Sequence, residues 1–161
     1  MRWLAIDYGK RRIGLAISDP GERIASPAGT LRAAGSPVTD ASNLAAWARQ
    51  NDVHGIVVGL PLNMDGSIGP QARVSQELAA ALRHAAALPV ELWDERLTSF
   101  QADQTMRAAG LTRAKRKQRR DALAAQAVLQ SFLDERRARA ESSRPPDTGE
   151  PSPDSPPPRP T

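Results

Sequence analysis

The stretch RWLAIDYGKRRIGLAIS, residues 2–18, holds two apolar runs separated by a short basic turn. Residues 2–8 read as one strand, Gly9–Arg12 as a tight turn, and the residues up to Ser18 as the returning strand of a hairpin. A short third strand is predicted near 27–33. Beyond it the period changes. Residues 40–50 put Leu44, Trp47 and Ala48 on one helical face. HGIVVGL, residues 54–60, is a continuous apolar run with β-branched residues, the mark of a strand covered on both faces. A helix over about 70–87 follows, with Val74, Leu78, Ala81 and Leu82 as its stripe, and then the strand VELWDE, residues 90–95. Thr98 suits the N-cap of a helix over 99–109. Residues 110–118 read as a basic loop. A last helix over about 119–138 presents Leu123, Ala127, Leu129, Phe132 and Leu133. Antiparallel strands first and strand–helix alternation afterwards predict an α/β fold, a mixed sheet with helices on its faces.

Of the 161 residues, 40% are apolar and 25% charged, the proportions of an ordinary soluble domain. One folded unit over residues 1–140 is expected. The remainder, ESSRPPDTGEPSPDSPPPRPT (141–161), carries eight of the fourteen prolines and almost no apolar side chain. It cannot bury enough surface to offset the entropy of ordering and is predicted to be disordered. No apolar run reaches the roughly 20 residues of a membrane span. Asp7 interrupts the short apolar start, so no signal peptide is expected and the cytoplasm is the expected location. The absence of cysteine excludes disulfides, thiolate zinc sites, iron–sulfur clusters and a cysteine nucleophile. With only His54 and His84, a multi-histidine cage is excluded as well. Any metal must be held by oxygen, which favours magnesium, manganese or calcium. The formal charge of +4 conceals a split, the tail being −2 and residues 1–140 being +6. A positive folded part favours an anionic partner, nucleic acid foremost.

In sheets of this kind the reactive crevice lies beyond the carboxyl ends of the parallel strands. The first strand ends in Asp7, VELW runs into Asp94 and Glu95, and Asp121 falls in the first turn of the last predicted helix. Singly, each has an ordinary role. Asp7 suits a turn before Gly9, Asp94 can pair with Arg96 or cap a helix, and Asp121 suits a helix N-terminus. Together they form a cluster whose mutual repulsion a divalent cation would neutralise. Two such ions about 4 Å apart can drive in-line phosphodiester hydrolysis. Asp94 and Glu95 point to opposite strand faces, so only one can serve, and periodicity does not choose between them.

Four segments, AIDYGKRRIGLAISD (5–19), IVVGLPLNMDGS (56–67), WDERLTS (93–99) and RRDALAAQAVL (119–129), in this order and spacing, resemble the YqgF family of RuvX-type nucleases. The likeness covers about residues 1–138. It implies a ribonuclease-H-like fold related to RuvC, with a five-stranded sheet in the order 3-2-1-4-5. It also implies catalytic, metal-holding acids at Asp7, Glu95 and Asp121, with Mg2+ or Mn2+ as cofactor and no small organic one. The choice of Glu95 over Asp94 belongs to the resemblance. So do the implied activities, 5′-end processing of pre-16S rRNA and Holliday junction resolution, and the implied homodimer. RuvC-like sites usually carry four acids where this pattern supplies three, and Asp94 is a weak candidate for the fourth.

Between Gln104 and Arg120 there is no acid and there are seven cations: Arg107, Arg113, Lys115, Arg116, Lys117, Arg119 and Arg120. A solvated basic loop is the ordinary meaning of such a run. Lying directly before Asp121, it reads here as a phosphate-binding strip. With about five phosphate contacts, log affinity would fall against log salt with a slope of roughly −4 to −5. Lys10, Arg11 and Arg12 form a second cluster on the turn beside Asp7. In PLNMDGS, Asn63, Asp65 and Ser67 can hydrogen-bond sugar or backbone oxygens, although Asp65-Gly66 alone is a turn signal. The resemblance favours a substrate loop there, and substrate contacts for Arg96 and Thr98. Tyr8 and Phe100 are candidates to stack on a splayed base, and Trp93 reads as packing. The resulting reading is a metal-dependent endonuclease acting on a structured RNA precursor or branched DNA. One rival is a non-catalytic RNA-binding or ribosome-assembly module, which leaves the converging acids without a purpose. The other is an actin–hexokinase-type phosphotransferase, suggested by Asp7-Tyr8-Gly9-Lys10; it needs two copies of the fold where residues 1–140 supply one.

Overall fold

A computed structural model describes residues 1–97 and 113–146. The helix predicted over 99–109, with Thr98, Phe100 and Arg107, and the tail from residue 147 onward lie outside the described residues. Five strands, β1 (Trp3–Tyr8), β2 (Arg12–Ser18), β3 (Ala25–Arg32), β4 (Gly55–Leu60) and β5 (Val90–Asp94), make one sheet in the order β3-β2-β1-β4-β5. β2 runs antiparallel to β1 and β3, β4 is parallel to β1, and β5 is parallel to β4. This is the expected mixed sheet in the expected order. Helices α1 (Pro37–Gln50), α2 (Pro70–Ala86) and α3 (Arg113–Ser142) cover it, and a 3₁₀ turn, Glu95–Leu97, follows β5.

β1 lies at the centre of the sheet, and its alternation divides the core. Leu4, Ile6 and Tyr8 face one way and pack with Leu44 and Ala48 of α1 and Leu78 and Leu82 of α2. Trp3 and Ala5 face the other way, against Val128, Leu129, Phe132 and Leu133 of α3. Leu4 and Ile6 are fully buried, and each such side chain stabilises the fold by roughly 1.5–3 kcal/mol. Proline stands at the start of α1 and of α2, where its missing N–H costs nothing.

α3 differs from expectation at both ends. The segment 110–118 is not a loop throughout, because the helix already begins at Arg113. RAKRKQRR contains only strong helix formers and no glycine or proline, and this propensity outweighs the loop-like charge pattern. At the other end α3 continues to Ser142, beyond residue 138. An i,i+4 pair, Arg139 on Glu135 at 2.6 Å, braces this last stretch, and Pro145 and Pro146 bar further continuation. The buried stripe of α3 is Ala122, Ala125, Val128, Leu129, Phe132 and Leu133. Leu123 and Ala127, expected inside, are half-buried. The small side chains of Ala122 and Ala125 let α3 approach the sheet closely at its N-terminal half. Gln126 and Gln130 fasten it to the edge strand, bonding the Ala25 carbonyl and N–H respectively, each at 3.0 Å. Among the described residues no helix is long and apolar enough to cross a membrane.

Candidate active site

Asp7 lies one residue before the end of β1, on the α3 face with Trp3 and Ala5. Its partner across β2 is Gly14. On the other side Ile6 pairs with Val58, so Gly59 is the next residue along β4, and Gly59 pairs with Trp93 of β5. Asp7 is thus flanked on both neighbouring strands by residues without side chains. A Cβ on Gly14 would collide with the backbone carbonyl of Asp121, and a Cβ on Gly59 with the carboxyl group of Glu95. The two vacated positions are where the other two acids approach Asp7. β5 ends at Asp94, and the 3₁₀ turn that follows carries Glu95 back over β4.

Glu95 and Asp7 are hydrogen-bonded carboxyl to carboxyl. Burial raises the pKa of both. For Glu95 the Asp7 charge, the hydrogen bond to Asp7 and the Asp94 charge push further in the same direction, to about 9. Both shifts favour retention of a proton between the two carboxyl groups. The Asp121 carboxylate lies 3.7 Å from the Arg12 guanidinium. Among the described residues, no three acidic or histidine side chains converge into a ready-made cation cage. The structure brings Asp7 and Glu95 into contact, and it brings the Asp121 backbone against β2 beside Asp7.

Gly14 and Gly59 escaped the sequence reading. Their signal was a glycine inside an otherwise apolar strand, which marks close approach of another group. Gly59→Ala meets the movable end of a side chain. It is expected to separate Glu95 from Asp7 while costing only about 1 kcal/mol of stability. Gly14→Ala meets backbone and is expected to cost roughly 2–3 kcal/mol. Calorimetric melting then shows the larger drop, roughly 5–10 °C, for Gly14→Ala.

The other expected residues divide. Lys10 and Arg11 are exposed on the turn beside Asp7, and Arg119 and Arg120 are exposed on α3. Arg113, Lys115, Arg116 and Lys117 belong to the same helix, but their side chains lie outside the description. Asn63, Asp65 and Ser67 bond one another: Asn63 Nδ2 donates to Ser67 Oγ at 2.9 Å, and Ser67 Oγ to Asp65 Oδ1 at 2.6 Å. These groups shape their own loop. Arg96 is engaged by Asp94 at 2.7 Å, the ordinary pairing considered for that acid. Trp93 packs edge-on against Phe132 at 5.6 Å, as expected. Tyr8 is no stacking platform. It is buried on the α1 side, and its hydroxyl donates to the buried Asp40 at 2.5 Å.

The family model for RuvX, described as Holliday junction resolvase, matches residues 1–135. A Chloroflexus aurantiacus protein named "Putative pre-16S rRNA nuclease" is 47% identical over 135 residues, covering 84% of this chain and 88% of its own length. Proteins of the same name from Pelotomaculum thermopropionicum and an Anaeromyxobacter species are 43% and 44% identical. They align over 83% and 86% of this chain and over 87% and 100% of their own lengths. Among solved structures, Thermus thermophilus RuvC in complex with a Holliday junction substrate superposes with a TM-score of 0.53 at 17% identity, covering 85% of this chain and 96% of that one. That likeness is one of fold, and it agrees with the ribonuclease-H-like architecture. Coverage and identity across the curated relatives go further, and the chain belongs to the RuvX family.

Proposed function

We propose that this protein is a divalent-metal-dependent endonuclease that hydrolyses phosphodiester bonds in structured nucleic acid, with 5′-end processing of pre-16S rRNA as its first role. The observation that carries the reading is the half-buried, hydrogen-bonded Asp7–Glu95 pair, framed by Gly14 and Gly59 at the carboxyl ends of parallel strands. An all-oxygen donor set of two carboxyl groups fits a hard cation such as Mg2+ or Mn2+. Asp7 and Glu95 would hold it, with Asp121 as the third acid. A divalent cation bound there supplies Lewis acidity toward the scissile phosphate and toward water.

The protein's own groups do the rest. Glu95 must release its proton before it can act as a ligand, so loading is favoured as pH rises. Arg12 lies beyond ordinary hydrogen-bond distance from Asp121. A substrate phosphate can compete with Asp121 for the Arg12 guanidinium. Lys10, Arg11, Arg119 and Arg120 supply positive charge along the approach of a polyanion. A cytoplasmic location and a homodimer belong to the same reading.

The relatives' shared name favours the ribosomal RNA precursor. The family's description favours a second substrate, the four-way DNA junction, where a two-fold dimer would suit paired cuts. Side-by-side digestion of a pre-16S rRNA fragment and a four-way junction, with Mg2+ or Mn2+, tests both. EDTA is expected to abolish cutting and added metal to restore it. Tight binding with no cutting under any of these conditions would leave a ribosome-assembly module in place of an enzyme.

A further inference from the structure

Asp94, Glu95 and Arg96 are consecutive, yet they serve two different constellations. Glu95 turns to Asp7. Asp94 turns to Arg96: its Oδ1 accepts the Arg96 backbone N–H at 3.0 Å and the Nε–H at 3.1 Å, and its Oδ2 accepts from Nη2 at 2.7 Å. The guanidinium also reaches across to the loop after β4, where Nη1 donates to the Met64 carbonyl at 3.4 Å. That loop is braced internally. Asn63 N–H donates to the Ser67 carbonyl at 3.0 Å, Gly66 N–H to the Asn63 carbonyl at 2.8 Å, and Ser67 N–H to Asp65 Oδ1 at 2.9 Å. Met64 at its tip is 93% exposed, so polar bonds rather than packing hold this tip in place. A guanidinium has five N–H donors. Among the described residues, two on Nε and Nη2 go to Asp94 and one on Nη1 to Met64, which leaves two for a further acceptor such as a phosphate oxygen.

We propose that Asp94 is the positioning residue of Arg96 rather than a fourth metal ligand, locking the guanidinium as a phosphate grip that ties loop 61–67 to the acid pair. A carboxylate already held side-on by a guanidinium has most of its lone pairs engaged and a cation beside it, which opposes an incoming metal ion. The inference rests on the polyanion-binding half of the proposed function, and its test reads binding rather than cleavage.

The full-length protein is titrated against a fluorescein-labelled hairpin RNA in EDTA and followed by anisotropy. Asp94→Asn keeps an Oδ1 to accept the Arg96 N–H, so the 3₁₀ turn is retained while the charge is lost. Asp94→Asn and Arg96→Ala are each expected to weaken binding about tenfold. The double variant is expected to bind no more weakly than Arg96→Ala alone, and Asp94→Glu to recover most of the affinity. The Mg2+ concentration that half-saturates thermal stabilisation is expected to be no higher in Asp94→Asn than in the wild type. Wild-type binding by Asp94→Asn, additive losses in the double variant, or a raised Mg2+ requirement in Asp94→Asn would each overturn the inference. RNA binding that follows the expected pattern, with no cleavage by the wild-type protein, would instead sink the nuclease reading and leave the grip standing.

Discussion

Asp7→Asn is expected to slow cleavage by about a thousandfold, roughly 4 kcal/mol of barrier, and to leave RNA affinity within about threefold. The position is unusually well isolated for such a test. Asp7 lies on the central strand between two glycines, so an isosteric amide disturbs no neighbouring side chain on β2 or β4. What it removes is the charge that any divalent ion at this site would need. The cations that attract the polyanion lie on other elements and are untouched. The check is a single-turnover time course on labelled precursor RNA with Mg2+ or Mn2+, with affinity measured in the same buffer. A wild-type rate in Asp7→Asn would exclude the acid pair as the reactive centre.

The second large effect is a dependence of stability on pH in protein stripped of divalent ions. Glu95 and Asp7 both take up protons more readily in the folded state than carboxyl groups ordinarily do, chiefly because they are buried. Between the ordinary glutamate value of 4.5 and about 9, the folded protein holds a proton that the unfolded chain has released. Stability contributed by the protonated pair is therefore intact below pH 4.5 and is lost as pH rises toward 9. Asp94 and Asp65 shift the opposite way, held down chiefly by hydrogen bonds from Arg96 and from Ser67. Their contributions fade only in acid and do not enter this window. With screening at a partly exposed site, the loss between pH 5 and 9 is expected to be about 2–3 kcal/mol, or roughly 5–10 °C in melting temperature. Glu95→Gln is expected to flatten the curve and to melt above the wild type at pH 8. Mg2+ is expected to stabilise the wild type most at alkaline pH and Glu95→Gln hardly at all. A wild-type melting temperature that stays level from pH 5 to 9 in EDTA would exclude the shared proton.

Local pattern carried much of the molecule. The hairpin around Gly9–Arg12, the buried strand at 54–60 and the order of elements follow from short-range alternation, which a sequence displays directly. Alternation failed at the residue that matters most. It applies only within a strand, and β5 stops at Asp94, so the direction of Glu95 is set by the turn that follows. Charge pattern misplaced the start of α3 for a related reason. Lysine and arginine are at home in solvated loops and in helices alike, and backbone propensity together with packing against the sheet decides between them.

The sequence by itself determined the chemical repertoire: no thiol, two imidazoles, oxygen donors only, a basic folded part, and acids at strand ends. It also showed glycine at positions 14 and 59, which announces that something comes close without saying what. Only the tertiary structure decided that the carboxyl group of Glu95 fills one gap and the backbone of Asp121 the other. The physical reason is distance along the chain. These partners are brought together by the crossover from β4 to β5 and by the return of α3 across β2, contacts that no local periodicity encodes.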